Sequence, residues 1–119
     1  MGTDRVLFLR RYRAALLDYL LGSGESALVR AHELGRDAID DGLGLMQVLR
    51  AHQRTVKAML DSAHTVTESI RRLNAAEDFL METLSPFEMI YRDYLALLRL
   101  EHDRLRERPA DARARRRRR

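Results

Sequence analysis

The chain has 119 residues, the size of one domain; 45% of them are of the AVILMFWYC set and 34% are charged, too apolar for a disordered chain and too charged for a membrane-spanning one. The chain has six Gly and two Pro, and the absence of Cys excludes a disulfide framework, thiol catalysis and a thiolate metal site. The net charge of +4 is unevenly spread: Arg106 to Arg119 holds eight Arg against Glu107 and Asp111, leaving residues 1–105 with 14 basic and 16 acidic groups.

Asp4 and Arg5 interrupt the N-terminal residues, which lack the apolar run and cleavage site of a secretion signal. A cytoplasmic location is therefore expected. Thr3 is the expected N-cap of a first helix, with Asp4 in its first turn. Leu9, Tyr12, Leu16, Tyr19 and Leu20 recur at helical spacing, and Leu7, Ala14, Leu17 and Leu21 run beside them. Together they make an apolar face broader than one neighbouring helix covers. Gly22-Ser23-Gly24 ends this helix.

A second helix is expected over about Glu25 to Asp40, with small apolar positions: Ala27, Leu28, Ala31, Leu34, Gly35, Ala38 and Ile39. They permit close approach of a partner helix, although Gly35 costs about 1 kcal/mol against Ala. After the turn Asp41-Gly42-Leu43-Gly44, a third helix puts Leu45, Leu49, His52, Val56, Met59 and Leu60 on one side and stops near Asp61-Ser62. The fourth begins around Thr65 or Thr67, with Ile70, Leu73, Glu77, Leu80 and Leu84 on a stripe that Phe87, Tyr91, Tyr94, Leu98 and Leu105 continue. Pro86 allows either one kinked helix or two separate ones; the apolar phase runs on through Ser85-Pro86-Phe87, which favours one long helix kinked at Pro86. At 1.5 Å per residue, about 40 residues reach roughly 60 Å, and a second copy of the chain is the natural surface for such a helix to pack on. No strand pattern occurs. The expected fold is all-α, a four-helix bundle that dimerises, spanning residues 1–107, followed by a disordered Arg-rich tail over 108–119.

Sequence signatures of catalysis are mostly missing. Gly22-Ser23-Gly24 has no strand before it and lacks nucleophile-elbow spacing; the pairs Gly22/Gly24 and Gly42/Gly44 lack the third glycine of a dinucleotide loop. None of His32, His52, His64 and His102 has a second His three or four residues away, so no metal site is expected. His32-Glu33-Leu34-Gly35 loosely resembles the His-x-Leu-Lys-Gly sequence of histidine phosphotransfer domains, without its lysine and with the glycine one place early. Phosphotransfer on His32 stays open as an alternative. The arginine tail offers another, nucleic-acid binding, since a run of like charge holds polyanions weakly by counterion release; with no aromatic residue among the arginines it has no stacking platform.

The run Ala27-Leu28-Val29-Arg30-Ala31-His32-Glu33-Leu34-Gly35-Arg36-Asp37-Ala38-Ile39-Asp40-Asp41-Gly42 leads to Leu49-Arg50-Ala51-His52-Gln53. Later comes Phe79-Leu80-Met81-Glu82-Thr83-Leu84-Ser85-Pro86-Phe87-Glu88-Met89, followed by Tyr91 and Asp93-Tyr94. Over most of residues 5–105 this resembles the N-terminal domain of the stress-response phosphatase RsbU, which shares its fold with the C-terminal domain of the circadian protein KaiA. The Leu84-Ser85-Pro86-Phe87-Glu88-Met89 stretch is the most specific element. The resemblance implies a non-enzymatic, dimeric helical module without cofactor, which docks a partner-switching kinase of the RsbT type in bacterial stress or sigma-factor regulation. No phosphatase domain follows in this sequence, so the expectation is a stand-alone adaptor or an output domain carried elsewhere. The docking surface is expected on polar residues of the second and third helices, Arg30, Glu33, Arg36, Asp37, Gln47, Arg50, Gln53 and Arg54. The dimer interface is expected on Leu9, Tyr12, Leu16 and Tyr19 of the first helix and on Tyr91, Tyr94 and Leu98 of the fourth.

Overall fold

Four helices follow one another in the computed structural model, which describes residues 2–107: α1 (Gly2–Leu20), α2 (Glu25–Asp40), α3 (Leu45–Asp61) and α4 (Val66–Arg106). The class is all-α, as the periodicity predicts, with no strand among the described residues. The stretch 108–119, expected to be a disordered tail, lies outside those residues. Pro86 sits inside α4, which is a single helix and not two. The chain forms two compact units, Met1–Phe87 and Glu88–Arg119. The first holds α1, α2, α3 and the leading half of α4.

Local chemistry sets the helix ends. α1 already begins at Gly2, which puts Thr3 in the first turn and not at the cap. At the end of α2 the Leu43 N–H donates to the Ala38 carbonyl (2.8 Å) and the Gly42 N–H to that of Ile39 (3.1 Å), the paired bonds of a Schellman cap. This cap needs a left-handed residue, and Gly42 supplies it at φ +75°. The cap also turns Leu43 back into the core, where it is buried. α1 closes in the same way, through Ser23 and Gly22. At the start of α3 the Gln47 side chain accepts from the Gly44 N–H at 2.5 Å. Thr65 caps α4 by accepting from the Glu68 N–H at 3.0 Å, and Glu68 reaches back to the His64 N–H at 3.1 Å. That backbone bond, with help from Arg72, holds the Glu68 carboxyl below its ordinary value. Arg72 in turn donates to the Met59 carbonyl, to Ser62 Oγ (2.8 Å) and to Glu68 (2.5 Å), tying the last turn of α3 to the first turns of α4.

The core of the first unit is built on Phe8, Tyr12, Ala15 and Leu16 of α1, Ala31, Leu34 and Ala38 of α2, Val48, Ala51 and Met59 of α3, and Ala76 and Phe79 of α4. Tyr12 meets Phe79 edge-on with ring centroids 5.1 Å apart. On two helices the buried face lies one residue away from the expected one. α3 buries Val48, Ala51, Thr55 and Met59, leaving His52 and Val56 half-buried and Leu45 exposed. α4 buries Ala76, Phe79, Thr83 and Pro86, while Ile70, Leu73 and Glu77 are exposed. Thr55 and Thr83 pass as core residues because each hydroxyl donates to the carbonyl four residues earlier, Ala51 (2.8 Å) and Phe79 (3.0 Å). The second apolar row of α1 is not core at all: Leu7, Ala14, Leu17 and Leu21 are exposed.

α2 and α4 meet at Gly35. A Cβ on this residue would lie 2.1 Å from the Thr83 carbonyl oxygen and 3.1 Å from Pro86 Cγ. Glycine is therefore required by contact and not merely tolerated. Pro86 is buried at this crossing, so its ring fills the space above a residue that has no side chain.

Candidate docking surface

The charged residues expected to form one docking surface fall into two groups. On α2, Arg30 pairs with Asp18 at 2.6 Å and Asp37 with Arg11 at 3.8 Å. Arg11, Arg30, Glu33, Leu34 and Asp37 line one shallow depression between α1 and α2. Each of these arginines already has a carboxylate of its own chain, and exposed pairs of this kind are worth about 0–1 kcal/mol.

The α3 group is different. Arg50 and Arg54, one turn apart, join Arg5 of α1 around a pocket of about 140 Å³ whose apolar lining includes Phe8, Leu9, Leu43 and Ala51. None of these three arginines makes an ion pair among the described residues. Gln47 lines the same pocket, but its side chain is committed to capping α3. Arg36 and Gln53 are exposed and line neither site. Sequence spacing finds Arg50 and Arg54; Arg5 and Leu43 join them only through the packing of α1 on α3 and the cap of α2. A further groove of about 350 Å³ lies between Leu17, Leu20 and Leu21 of α1, Ala58 and Met59 of α3 and Arg71 of α4. It takes up part of the second apolar row of α1.

The two segments that carry the family resemblance, one around His32 to Gly35 and the other around Ser85 to Phe87, are in contact through Gly35, Thr83 and Pro86. The model of the family described as phosphoserine phosphatase RsbU, N-terminal domain, matches residues 10–90. The chain belongs to this family. Its members' domain is a regulatory, non-catalytic part of a phosphatase in stress signalling. No curated protein and no solved structure matches the chain.

The match takes in the Gly35–Pro86 crossing, Arg50 and Arg54 of this RsbU N-terminal domain and leaves Arg5 outside. It also takes in a buried polar pair. Tyr12 Oη and His52 Nδ1 are 2.7 Å apart, with the rings edge-on at 5.9 Å. Burial raises the Tyr12 phenol further above its ordinary value, so the hydroxyl stays protonated. It donates to Nδ1, since a buried O–H without an acceptor costs about 1–3 kcal/mol. Burial lowers the His52 value, against an opposing pull from Glu77, and keeps the imidazole neutral. This is the chemistry of a buried core pair.

Two residues expected at a dimer interface are corrected by their burial. Tyr12 and Leu16 are both 0% exposed within the single chain, because α1 turns this row onto α3 and α4; a partner cannot reach them. Leu9 and Tyr19 are half-buried at the edge of the same core. His32 is half-buried on α2, and the glycine three residues after it serves the crossing with α4. Among the described residues, no group of three or more His, Asp or Glu could hold a metal ion, and no helix is long and apolar enough to cross a membrane.

Proposed function

We propose that this chain is a non-enzymatic regulatory module that works as a homodimer and docks a partner-switching kinase of the RsbT type. The observation that carries the reading is membership of the RsbU N-terminal domain family, joined to a charged surface on α3 whose arginines make no ion pair among the described residues. The dimer rests on the second unit. There Tyr91, Tyr94, Leu98 and Leu105 are spaced three, four and seven residues apart along α4 and are 61%, 58%, 47% and 60% exposed. That spacing is the a/d repeat of a helix that packs against another helix. An exposed aromatic and leucine row of this length marks an interaction site in a chain otherwise rich in surface charge.

Calorimetric titration with an RsbT-type kinase from the same organism tests the docking. Saturable binding, one kinase per protomer, is expected. Absence of heat and of any complex by size-exclusion chromatography, in every nucleotide state of the kinase, would remove the docking claim.

A further inference from the structure

We propose that the pocket between α1 and α3 receives one large apolar side chain of a partner protein, and that Arg5, Arg50 and Arg54 hold carboxylates on either side of that side chain. The proposal rests on the docking reading above and gives its partner a chemistry. Size decides the class of occupant. At about 140 Å³ the pocket is well below the roughly 300–1,000 Å³ of sites that enclose small ligands, and it suits a single anchoring side chain of the kind that dominates protein interfaces. Its floor is apolar and belongs to the core, since Phe8 and Leu43 are buried residues.

Charge decides the partner's sign. Some arginines are neutralised from within, Arg72 with Glu68 and Arg92 with Glu88 one turn earlier and Arg30 with Asp18 across helices, whereas Arg5, Arg50 and Arg54, like Arg10, Arg13, Arg36, Arg71 and Arg99, make no ion pair among the described residues. Arg50 and Arg54 stand one turn apart with like charge, an arrangement that costs a few tenths of a kcal/mol in a helix, and Arg5 adds a third charge from α1. An acidic partner segment removes that repulsion, and guanidinium groups bind carboxylates through paired hydrogen bonds. A nucleic-acid backbone would satisfy the charge and leave the apolar floor unused. The combination of floor and rim selects an acidic segment with a Leu- or Phe-sized anchor.

The test is a nuclear magnetic resonance titration of the full chain, methyl-labelled at leucine. The probe is a short peptide holding a leucine–phenylalanine pair flanked by glutamates; companion peptides replace the pair by alanines or the glutamates by lysines. The expected result is shifts at the Leu9 and Leu43 methyls and at the Arg50 and Arg54 amides with the acidic peptide alone. The double variant R50E/R54E, both positions exposed, keeps its fold and binds the peptide about tenfold more weakly or worse. The proposal is overturned by silence at Leu9 and Leu43 up to millimolar peptide, by shifts that survive R50E/R54E, or by shifts confined to residues 108–119. Equal shifts from the alanine peptide or from acetate would also overturn it, since the site would then be a small-anion site. The peptide requires no kinase, so a failed kinase titration and a failed peptide titration point to different errors.

Discussion

Replacing Gly35 by alanine tests the helix crossing that joins the two family-like segments. Considered as an isolated helix, α2 should gain, because Ala is favoured over Gly by about 1 kcal/mol in a helix interior. In the folded chain the new Cβ would sit 2.1 Å from the Thr83 carbonyl oxygen, where ordinary contacts begin near 3.4 Å. The obstacle is backbone and cannot rotate away, so α2 and α4 must part by more than 1 Å and loosen Pro86 and Phe79 behind it. Overpacking of this kind costs about 1–3 kcal/mol, and the rigid obstacle places this case at the upper end. Set against the propensity gain, the net loss is about 2 kcal/mol, which lowers the melting temperature of a domain this size by roughly 10 °C. Urea unfolding followed by circular dichroism measures it directly. If Gly35→Ala is as stable as the wild type or more so, the close approach of α2 to α4 is wrong.

The buried pair and the helix junctions give further expectations. Tyr12→Phe removes the hydroxyl that donates to His52 Nδ1 and should cost about 1–2 kcal/mol in urea unfolding; a neutral change would show that the pair is not formed. Since burial lowers the His52 value below its ordinary 6.5, the unfolded chain binds that proton more readily. Stability should therefore be full above pH 6.5 and fall as the pH drops through it. A protonated ring would also turn Nδ1 into a donor and leave the Tyr12 O–H without an acceptor. Melting temperatures measured from about pH 8 to pH 5 should fall in the wild type and stay flatter in His52→Gln; parallel profiles would place the titration elsewhere. Arg72→Met removes the bonds to Met59, Ser62 and Glu68 and should cost about 1–2 kcal/mol, seen as faster amide exchange in the last turn of α3. Unchanged exchange there would contradict the tie.

The helix boundaries are readable in the sequence because their causes are local. Gly22 and Gly42 set left-handed caps, and Thr65 with Glu68 sets the start of α4, all within a few residues of chain. The buried faces of α3 and α4 are harder. On both helices Leu, Val and Met occupy adjacent rows, so hydrophobicity alone favours Leu49-His52-Val56 over Val48-Ala51-Thr55. What settles the phase is small size at the crossing, Ala51, Ala76 and Gly35, and threonines whose hydroxyls are satisfied by their own helix. A scale that counts Thr as polar cannot see that. Tyr12 and Leu16 show the same limit: an apolar row predicts burial but not whether the cover is the same chain or another. The pocket between α1 and α3 is half visible, through the one-turn spacing of Arg50 and Arg54. Its floor depends on Leu43, which a cap at Gly42 carries back into the core, and its third charge comes from a helix 45 residues away in sequence.

The claim that the exposed row on α4 is covered by a second copy is tested most directly by sedimentation equilibrium of the full chain at micromolar concentration. A species of about twice the 13.8 kDa chain mass is predicted, falling to a helical monomer in the double variant Tyr91→Glu, Leu98→Glu. A wild-type mass equal to that of one chain at every concentration, or a dimer indifferent to those two charges, would contradict the account.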